Sequence, residues 1–382
     1  MRRLTRVLGG YISGTDVRSS VAGHELGIGD LDAVPGIVEK HLAQFFDERG
    51  PAISAIGEPV AEAVAHLRAF VLGGGKRVRP RYGWAGFVGA GGLATSEDPD
   101  AVLRAMSSLE LIQACALVHD DIIDASDTRR GNPTVHRSVE AQHRKQDMLG
   151  DATAYGINTA ILLGDLALAW AEDMWRYSGV SLEALTRAAE PWVGMRTEVI
   201  GGQLLDISLE GRGSESVDLA DRVNRFKTAA YTIERPLHLG AAVAGADDAT
   251  ISAFRGYGRD IGIAFQLRDD LLGVFGDPAI TGKPAGDDLR EGKRTVLFAT
   301  ALELLDRDAA AELRAGVGTA TEPEEIARLA ALIRGSGAED AVEARISSLT
   351  ASGLAHLDHA GISDEAKHAL TVMARKATDR RM

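Results

Sequence analysis

The segment 109–124, Leu-Glu-Leu-Ile-Gln-Ala-Cys-Ala-Leu-Val-His-Asp-Asp-Ile-Ile-Asp, places carboxylates directly after an apolar run. The run Leu109–Val118 predicts a buried helix that ends at the acidic cluster. On that helix Asp120, Asp124 and Asp127 fall on one face. Stacked like charges destabilise a helix, and its C-terminal end disfavours anions, so a compensating positive charge is expected. Mg²⁺, which binds one or two carboxylates together with substrate phosphates, fits this need; the alternative is a solvated acidic helix end.

The pattern on both sides of this segment is helical. Apolar residues recur every three or four positions in the window 31–42, and the windows 159–177 and 182–209 have the composition of long helices. The sequence contains no convincing run of alternating β-branched residues and no glycine-rich nucleotide-binding loop after a strand. We therefore predict an all-α helical bundle, in a single domain over residues 31–382, preceded by a loose N-terminal arm over residues 1–30.

Glycine-rich and polar breaks separate the predicted helices. Long loops on a helical scaffold often carry function, and several breaks adjoin charged motifs. The breaks fall at 73–75, 91–100, 125–156, 211–216, 276–292 and 316–323.

The composition restricts the class of protein. The chain has 382 residues, and its 55 acidic and 42 basic side chains give a net charge of −13, which argues against general nucleic-acid binding. Its single cysteine excludes an internal disulfide framework and any CxxC site. No apolar run reaches the roughly 20 residues that a membrane span requires. We expect a cytoplasmic protein without a membrane span.

A second acidic pair lies far along the chain, in the segment 265–277, Phe-Gln-Leu-Arg-Asp-Asp-Leu-Leu-Gly-Val-Phe-Gly-Asp. Asp269 and Asp270 again follow an apolar helical pattern. Two acidic pairs, each at the end of a hydrophobic helix, can face each other across a cavity. Such a cavity would hold several Mg²⁺ ions between the two motifs.

A basic motif stands out in this acidic chain. Residues 73–80, Gly-Gly-Gly-Lys-Arg-Val-Arg-Pro, combine glycines that let the backbone approach a ligand with side chains that bind anions. The alternative is a solvated loop. Together with the other basic residues near glycines or acidic motifs, the basic motif indicates two phosphate-bearing ligands. One would be held through metal, and the other directly by lysine and arginine side chains. Those residues are Arg129, Arg130, Lys227, Lys283 and Lys293.

These motifs, in this order, resemble the trans-isoprenyl diphosphate synthases of the polyprenyl synthetase family, in particular short-chain members of actinobacterial type. The resemblance covers roughly residues 35–375 and includes 120–131, the Lys227-Thr228 pair and 282–295. It implies helices around a central cavity, usually in a homodimer. It also implies head-to-tail condensation of isopentenyl diphosphate with an allylic diphosphate, with about three Mg²⁺ ions bridging the latter.

The same resemblance assigns roles to individual residues. Asp120, Asp124 and Asp269 would bind Mg²⁺, and Asp121 and Asp270 would support them. Isopentenyl diphosphate would be held by Lys76, Arg79, Gln113 and Arg130, and the allylic diphosphate by Arg129, Lys227, Thr228, Gln266, Lys283 and Lys293.

The second motif departs from the family pattern. Gly273 stands where many relatives carry a third aspartate, and Asp277 follows one turn later as a possible substitute. The residues that set product length in relatives correspond to Cys115 and Ala116, which are small here. We therefore expect elongation to pass farnesyl and stop at geranylgeranyl diphosphate, at a deeper wall formed by Ile112 or a large residue such as Trp170.

Other functions are open at this stage. Farnesyl diphosphate or a longer prenyl chain is the alternative product. A class I terpene cyclase shares the first acidic motif, but it would carry an Asn/Asp-Ser-Glu metal motif that the sequence lacks, and it has no need of the basic motif 73–80. A non-catalytic regulatory relative would usually have lost one acidic pair, whereas both are present here.

Overall fold

The computed structural model describes residues 27–277 and 285–379, and the predicted all-α fold is confirmed there. The first half contains α1 (Val34–Ile56), α2 (Glu58–Leu72), α3 (Val78–Gly89), α4 (Pro99–Ile123), α5 (Val135–Lys145), α6 (Ala152–Arg176), α7 (Leu182–Arg187), α8 (Ala189–Arg212) and α9 (Val217–Val223). A π-helix (Asn224–Glu234) follows, then α10 (Arg235–Ala244), α11 (Asp248–Phe275), α12 (Asp287–Glu291), α13 (Val296–Leu304), α14 (Arg307–Gly316), α15 (Pro323–Ser336), α16 (Ala338–His356) and α17 (Asp364–Thr378). Short 3₁₀ turns lie at Ile28–Asp30, Gly92–Ala94 and Leu357–His359.

The predicted loop 125–156 holds more structure than its polar composition indicated. It contains α5 and the strands β1 (Thr128–Arg129) and β2 (Asn132–Pro133), which form a two-residue antiparallel ladder. The prediction of a long loop over this segment was wrong because α5 buries one narrow face, including Val135 and Val139, while most of its other residues are polar. A helix with so few apolar residues is stabilised by tertiary packing.

Helix α4 is the central element of the fold. The Asp98 side chain accepts a hydrogen bond from the Asp100 N–H and caps its N-terminus, and Pro99 occupies the first turn. Two helices, α4 and α6, are long and apolar enough to cross a membrane by length and composition alone. In α4 78% of the apolar window is buried inside the protein, as in a core helix, whereas in α6 the fraction is 28%.

The buried apolar residues form two clusters that α11 connects. Its first half, including Phe254 and Tyr257, packs into the larger cluster around α4. Its second half, including Leu267 and Leu271, packs into the smaller cluster with α13 and α15. Most of the predicted N-terminal arm lies outside the described residues, but Ile28 is buried in the larger cluster. The single-domain boundaries remain a prediction.

The π-helix is held between α8 and α11 by close backbone contacts at three glycines. A Cβ atom added at Gly202 of α8 would lie 2.3 Å from the backbone nitrogen of Lys227. One at Gly258 of α11 would lie 2.4 Å from the Cα of Glu234, and one at Gly262 would meet Ala229 at 2.6 Å. Side chains at these positions would push the π-helix away, so the glycines fix the position from which Lys227 is presented.

Candidate active site

One cavity of about 1290 Å³ lies between α3, α4, α8, the π-helix and α11. It brings both acidic motifs and the basic motif together. Asp121 and Asp124 are not among the residues that line it, and Lys283 lies outside the described residues. The predicted residues that line it are Lys76, Arg79, Ile112, Gln113, Cys115, Ala116, Asp120, Arg129, Arg130, Lys227, Thr228, Gln266, Asp269, Asp270 and Lys293.

Asp120 in the first motif is surrounded by cations. Its Oδ1 accepts hydrogen bonds from Lys227 Nζ at 3.1 Å and from Gln203 Nε2 at 3.0 Å. Its Oδ2 lies 3.4 Å from Arg129 Nη2. Burial raises the pKa of Asp120, but the positive charges of Lys227, Lys293 and Arg129 outweigh it and hold that pKa below its ordinary value. Asp120 is therefore an anion in the protein without ligands.

The other two carboxylates of the first motif have different surroundings. Asp121 is fully buried and accepts a hydrogen bond from Arg129 Nε at 2.7 Å, while burial raises its pKa to about 6. This contact fixes the Arg129 side chain at the cavity edge. Asp124 lies 3.5 Å from Lys293 Nζ, and burial and the neighbouring charge of Asp120 raise its pKa.

The second motif contains a buried carboxyl group. Asp270 is 2% exposed, and its Oδ1 accepts a hydrogen bond from Gln266 Nε2 at 2.8 Å. Burial raises the pKa of Asp270 to about 8, against the hydrogen bond from Gln266. Gln266, which the resemblance assigns to the allylic diphosphate, therefore also contacts the acidic motif. Asp269 lies beside them on the cavity wall.

The basic motif is held in place by Arg77, a residue that was not among the predicted substrate ligands. Arg77 adopts a left-handed backbone conformation with φ of 47°. Its Nη1 donates to Glu110 Oε2 at 2.7 Å, its Nη2 donates to the Val71 carbonyl at 2.8 Å, and both charged side chains are buried. A buried pair of this kind anchors the loop, so that Lys76 and Arg79 face the cavity.

Arg79 and Arg130 reach the cavity from different elements. Arg79 Nη2 donates to Thr232 Oγ1 at 3.0 Å, and its guanidinium lies 4.0 Å from the centre of the Tyr231 ring. Arg130 donates to the carbonyl of Gly74 at 2.8 Å, which connects the loop after the first acidic motif to the basic motif. A contiguous surface of guanidinium and ammonium groups can bind a diphosphate.

The sequence reasoning missed two polar residues of α8, Gln203 and Asp206. Gln203 donates to Asp120, and Lys227 Nζ donates to Asp206 Oδ2 at 2.6 Å. Lys227 is therefore shared between two carboxylates. The signal was present as the segment 201–206, Gly-Gly-Gln-Leu-Leu-Asp, in which a polar pair three residues apart follows two glycines.

The wall below the first motif is apolar. Burial raises the pKa of the Cys115 thiol to about 12, so it stays protonated and acts as a small apolar surface. Trp170 packs edge-on against Phe45 and Phe46, with ring centres 5.9 and 5.7 Å away, and it does not line the cavity. Of the two residues named for the deeper wall, Ile112 lines the cavity and Trp170 does not, and the position at which elongation stops stays a prediction. Other apolar residues that line the cavity are Leu168, Val199, Ile200 and Leu204.

Comparisons with known proteins identify the family. Residues 61–333 match the sequence model described as Polyprenyl synthetase. The chain belongs to the polyprenyl synthetase family. It is 33% identical, over 85% of its length and 93% of the relative, to the geranylgeranyl diphosphate synthase of Mycobacterium tuberculosis. It is 35% identical, over 77% of its length and 85% of the relative, to the geranylfarnesyl diphosphate synthase of Aeropyrum pernix.

A solved structure is more similar still. The geranylgeranyl pyrophosphate synthase of Corynebacterium glutamicum, complexed with isoprenyl diphosphate and magnesium, is 62% identical, with a TM-score of 0.90 over 92% of this chain and 100% of that one. The polyprenyl synthetase described here is accordingly a trans-prenyltransferase with the all-α isoprenoid synthase fold.

Proposed function

We propose that this polyprenyl synthetase is a Mg²⁺-dependent geranylgeranyl diphosphate synthase. The observation that carries the proposal is the apolar extension of the cavity past Cys115 and Ala116, two small side chains directly below Asp120. A growing prenyl chain that starts at the acidic motifs can pass them. The similarity to the Corynebacterium enzyme supports the same product, whereas the Aeropyrum relative keeps geranylfarnesyl diphosphate as the second candidate.

The carboxylates of the two acidic motifs can bind Mg²⁺ only together with the phosphate oxygens of a substrate. Among residues 27–277 and 285–379, no three His, Cys, Asp or Glu side chains are placed to hold a metal ion. Mg²⁺ commonly takes one or two carboxylates and completes its coordination with phosphate oxygens and water. Asp120 and Asp124 on one side, and Asp269 on the other, would bind the ions, three in number, through a diphosphate between them.

The two diphosphates would occupy separate parts of the cavity. Lys76, Arg79, Gln113 and Arg130 are grouped around the basic motif and would hold isopentenyl diphosphate. The allylic diphosphate would lie between the acidic motifs, held by Arg129, Lys227, Thr228, Gln266, Lys293 and Lys283.

The proposed reaction needs charge stabilisation rather than a nucleophilic side chain. When bound, Mg²⁺ supplies positive charge that stabilises the leaving diphosphate. Lys227 and Arg129 add fixed positive charge at the same place as the C–O bond of the allylic substrate breaks. The isopentenyl double bond then attacks the allylic carbon, and the departing diphosphate accepts the proton that is released. The apolar wall around Cys115 keeps water from the cation.

A homodimer would cover an apolar face that the monomer exposes. On α8, Val193, Ile200, Leu204 and Ile207 are 41–64% exposed and recur at seven, four and three residues, and the last three also border the cavity, so a partner on this face would close its edge. This spacing places them on one side of the helix, which is typical of a helix that packs against another. Leu162 of the neighbouring α6 is 68% exposed.

A cytoplasmic location remains a prediction from the sequence.

One assay tests the proposed function. The purified chain is incubated with isopentenyl diphosphate, farnesyl diphosphate and Mg²⁺, and the products are sized by chromatography and mass spectrometry. We expect geranylgeranyl diphosphate and released diphosphate. A terpene hydrocarbon would indicate a cyclase, and the absence of any turnover would indicate a regulatory relative; either result contradicts the proposal.

A further inference from the structure

Arg79 is a buried cation whose contacts within the described residues are all with neutral groups. Its side chain is only 7% exposed, and in residues 27–277 and 285–379 it forms no ion pair with an aspartate or a glutamate. Its Nε is buried and has no hydrogen-bond partner there. The nearby Arg77, by contrast, is paired with Glu110. Because a buried charge is normally paired, Arg79 keeps its full capacity to bind an anion in the cavity.

Two neighbouring residues of the π-helix hold the Arg79 side chain. Thr232 Oγ1 accepts a hydrogen bond from Arg79 Nη2 at 3.0 Å, and the guanidinium lies 4.0 Å from the centre of the Tyr231 ring. Thr232 is 3% and Tyr231 is 7% exposed, and both line the cavity. A hydroxyl and an aromatic ring fix the direction of a guanidinium without neutralising its charge, as a carboxylate would.

Close backbone contacts fix the distance between Arg79 and these two residues. Arg79 lies in the first turn of α3, and the π-helix continues directly into α10. A Cβ atom added at Gly86 of α3 would lie 2.3 Å from the carbonyl oxygen of Leu237, and one added at Gly240 of α10 would lie 1.9 Å from that of Gly83. The backbones of α3 and α10 therefore touch without side chains between them, so that Arg79 and Thr232 belong to one rigid unit.

The same π-helix also faces the proposed site of the allylic diphosphate. Lys227 and Thr228 lie four residues before Tyr231 and Thr232, which is about one helical turn, and all four residues line the cavity. One face of the π-helix therefore supplies side chains near both proposed diphosphate sites. Helical turns of the π type frequently occur at functional sites.

We propose that Thr232 and Tyr231 are positioning residues for isopentenyl diphosphate, which they influence through Arg79. Thr232 sets the direction of the guanidinium, and Tyr231 supports its face. This inference rests on the two diphosphate sites proposed above. Because neither residue is placed at the acidic motifs where the C–O bond breaks, they set the affinity for isopentenyl diphosphate and leave the chemical step unchanged.

Calorimetric titration of the full chain with isopentenyl diphosphate alone tests the proposal. We expect Thr232→Val, which keeps the shape and removes the hydroxyl, to weaken binding about 5- to 20-fold. Thr232→Ser, which keeps the hydroxyl, should bind like the unmodified chain. Tyr231→Leu should weaken binding about 2- to 5-fold, and Tyr231→Phe, which keeps the ring, should not.

A double-mutant cycle shows whether these residues act through Arg79. In an Arg79→Ala background, Thr232→Val and Tyr231→Leu should cause no further loss of affinity. In steady-state kinetics, Thr232→Val should raise the KM for isopentenyl diphosphate and leave kcat and the KM for the allylic substrate unchanged. Thr378→Val is the matched control, because Thr378 is 1% exposed and its hydroxyl donates to the Ala374 carbonyl in α17, outside the cavity.

Unchanged affinity in Thr232→Val, or an equal loss with and without Arg79, would overturn the proposal. So would a Thr232→Ser variant as weak as Thr232→Val, since packing rather than the hydroxyl would then be responsible. Thermal unfolding followed by circular dichroism checks that each variant is folded, and Tyr231→Leu provides the same cycle if Thr232→Val unfolds. A chain that binds isopentenyl diphosphate but forms no geranylgeranyl diphosphate would count against the proposed function and not against this inference.

Discussion

Asp120 of the first acidic motif and Asp270 of the second have opposite electrostatic environments, although Asp121, which corresponds to Asp270 in position, is also buried and has a raised pKa of about 6. Asp120 in the first is held by Lys227, Gln203 and Arg129, and its pKa lies below the ordinary value. Asp270 in the second is buried against an amide, and its pKa is raised to about 8. The position of an acidic pair at the end of an apolar helix therefore does not determine its charge; the elements packed against that helix do.

This difference indicates how each motif meets its ligands. The cations around Asp120 are the same groups that the family resemblance assigns to the allylic diphosphate, so substrate and metal would enter by exchanging partners with Lys227 and Arg129. In the second motif burial raises the pKa of Asp270, and a divalent ion bound at the neighbouring Asp269 would favour release of the Asp270 proton.

Removing one carboxylate from each motif should have the largest effect. We expect Asp120→Ala and Asp269→Ala each to lower turnover by about 10²–10³-fold, because each loses stabilisation of the leaving diphosphate. The helical fold should be retained, because in Asp120→Ala Lys227 still contacts Asp206 and Arg129 still contacts Asp121. In Asp269→Ala repulsion of the neighbouring Asp270 is relieved. Steady-state kinetics at saturating Mg²⁺ measure the effect, with Asp277→Ala as control. Near-normal turnover in either variant would show that the metal assignment is wrong.

The basic motif should separate the two substrates. We expect Lys76→Ala and Arg79→Ala to raise the KM for isopentenyl diphosphate about 10- to 150-fold, since each loses a charge-assisted hydrogen bond worth about 1.5–3 kcal/mol. The KM for the allylic substrate should change little. Arg81→Ala, in which a surface arginine paired with Asp32 is removed, is the matched control. A defect confined to the allylic substrate would contradict the assignment of the two diphosphate sites.

The sequence was sufficient for the fold class and the motifs because both depend on local patterns. The break predicted at 211–216 coincides with the end of α8 at Arg212, where Gly213 adopts a left-handed conformation. The window 182–209 contains two helices rather than one, because the chain breaks at Ala188, three residues before Pro191. Proline has no N–H to continue the hydrogen-bond ladder from Arg187, so the sequence did carry a signal for this break. Trp192, the next residue of α8, stacks against Trp175 of α6.

The parts of the site that the sequence could not predict depend on contacts between distant segments. Gln203 reaches Asp120 from α8, and Asp288 fills the space above Gly273 only because α12 folds back onto α11. Trp170 is large and lies on an apolar helix, but which side of α6 faces the cavity is set by Phe45 and Phe46 of α1. Residue type gives the chemistry of a side chain, whereas the packing of the helices decides what that side chain contacts.

The wall below the first motif should control product length without a large loss of rate. We expect Cys115→Phe to shorten the product by one isoprene unit or more, because the ring would fill the space beside the growing chain. Cys115→Ser, which keeps the volume, is the control and should give the product of the unmodified chain. Product sizing by mass spectrometry measures both. An active Cys115→Phe variant with unchanged products would show that this helix does not line the path of elongation.

The prediction with the smallest expected effect concerns a residue outside the proposed metal site. It tests whether burial or charged neighbours decide the pKa of a titratable side chain. His238 is buried beside Glu190 and Arg235, and burial lowers its pKa to about 4 although the Glu190 charge opposes the shift. The unfolded chain takes up a proton near pH 6.5 and the folded chain does not, so stability should fall as the pH drops from about 6.5 to 4. We expect His238→Gln to remove up to about 3 kcal/mol of this pH dependence. Urea unfolding at several pH values measures it, with the exposed His359→Gln as control. Equal slopes in His238→Gln and the unmodified chain would show that Glu190 compensates for burial.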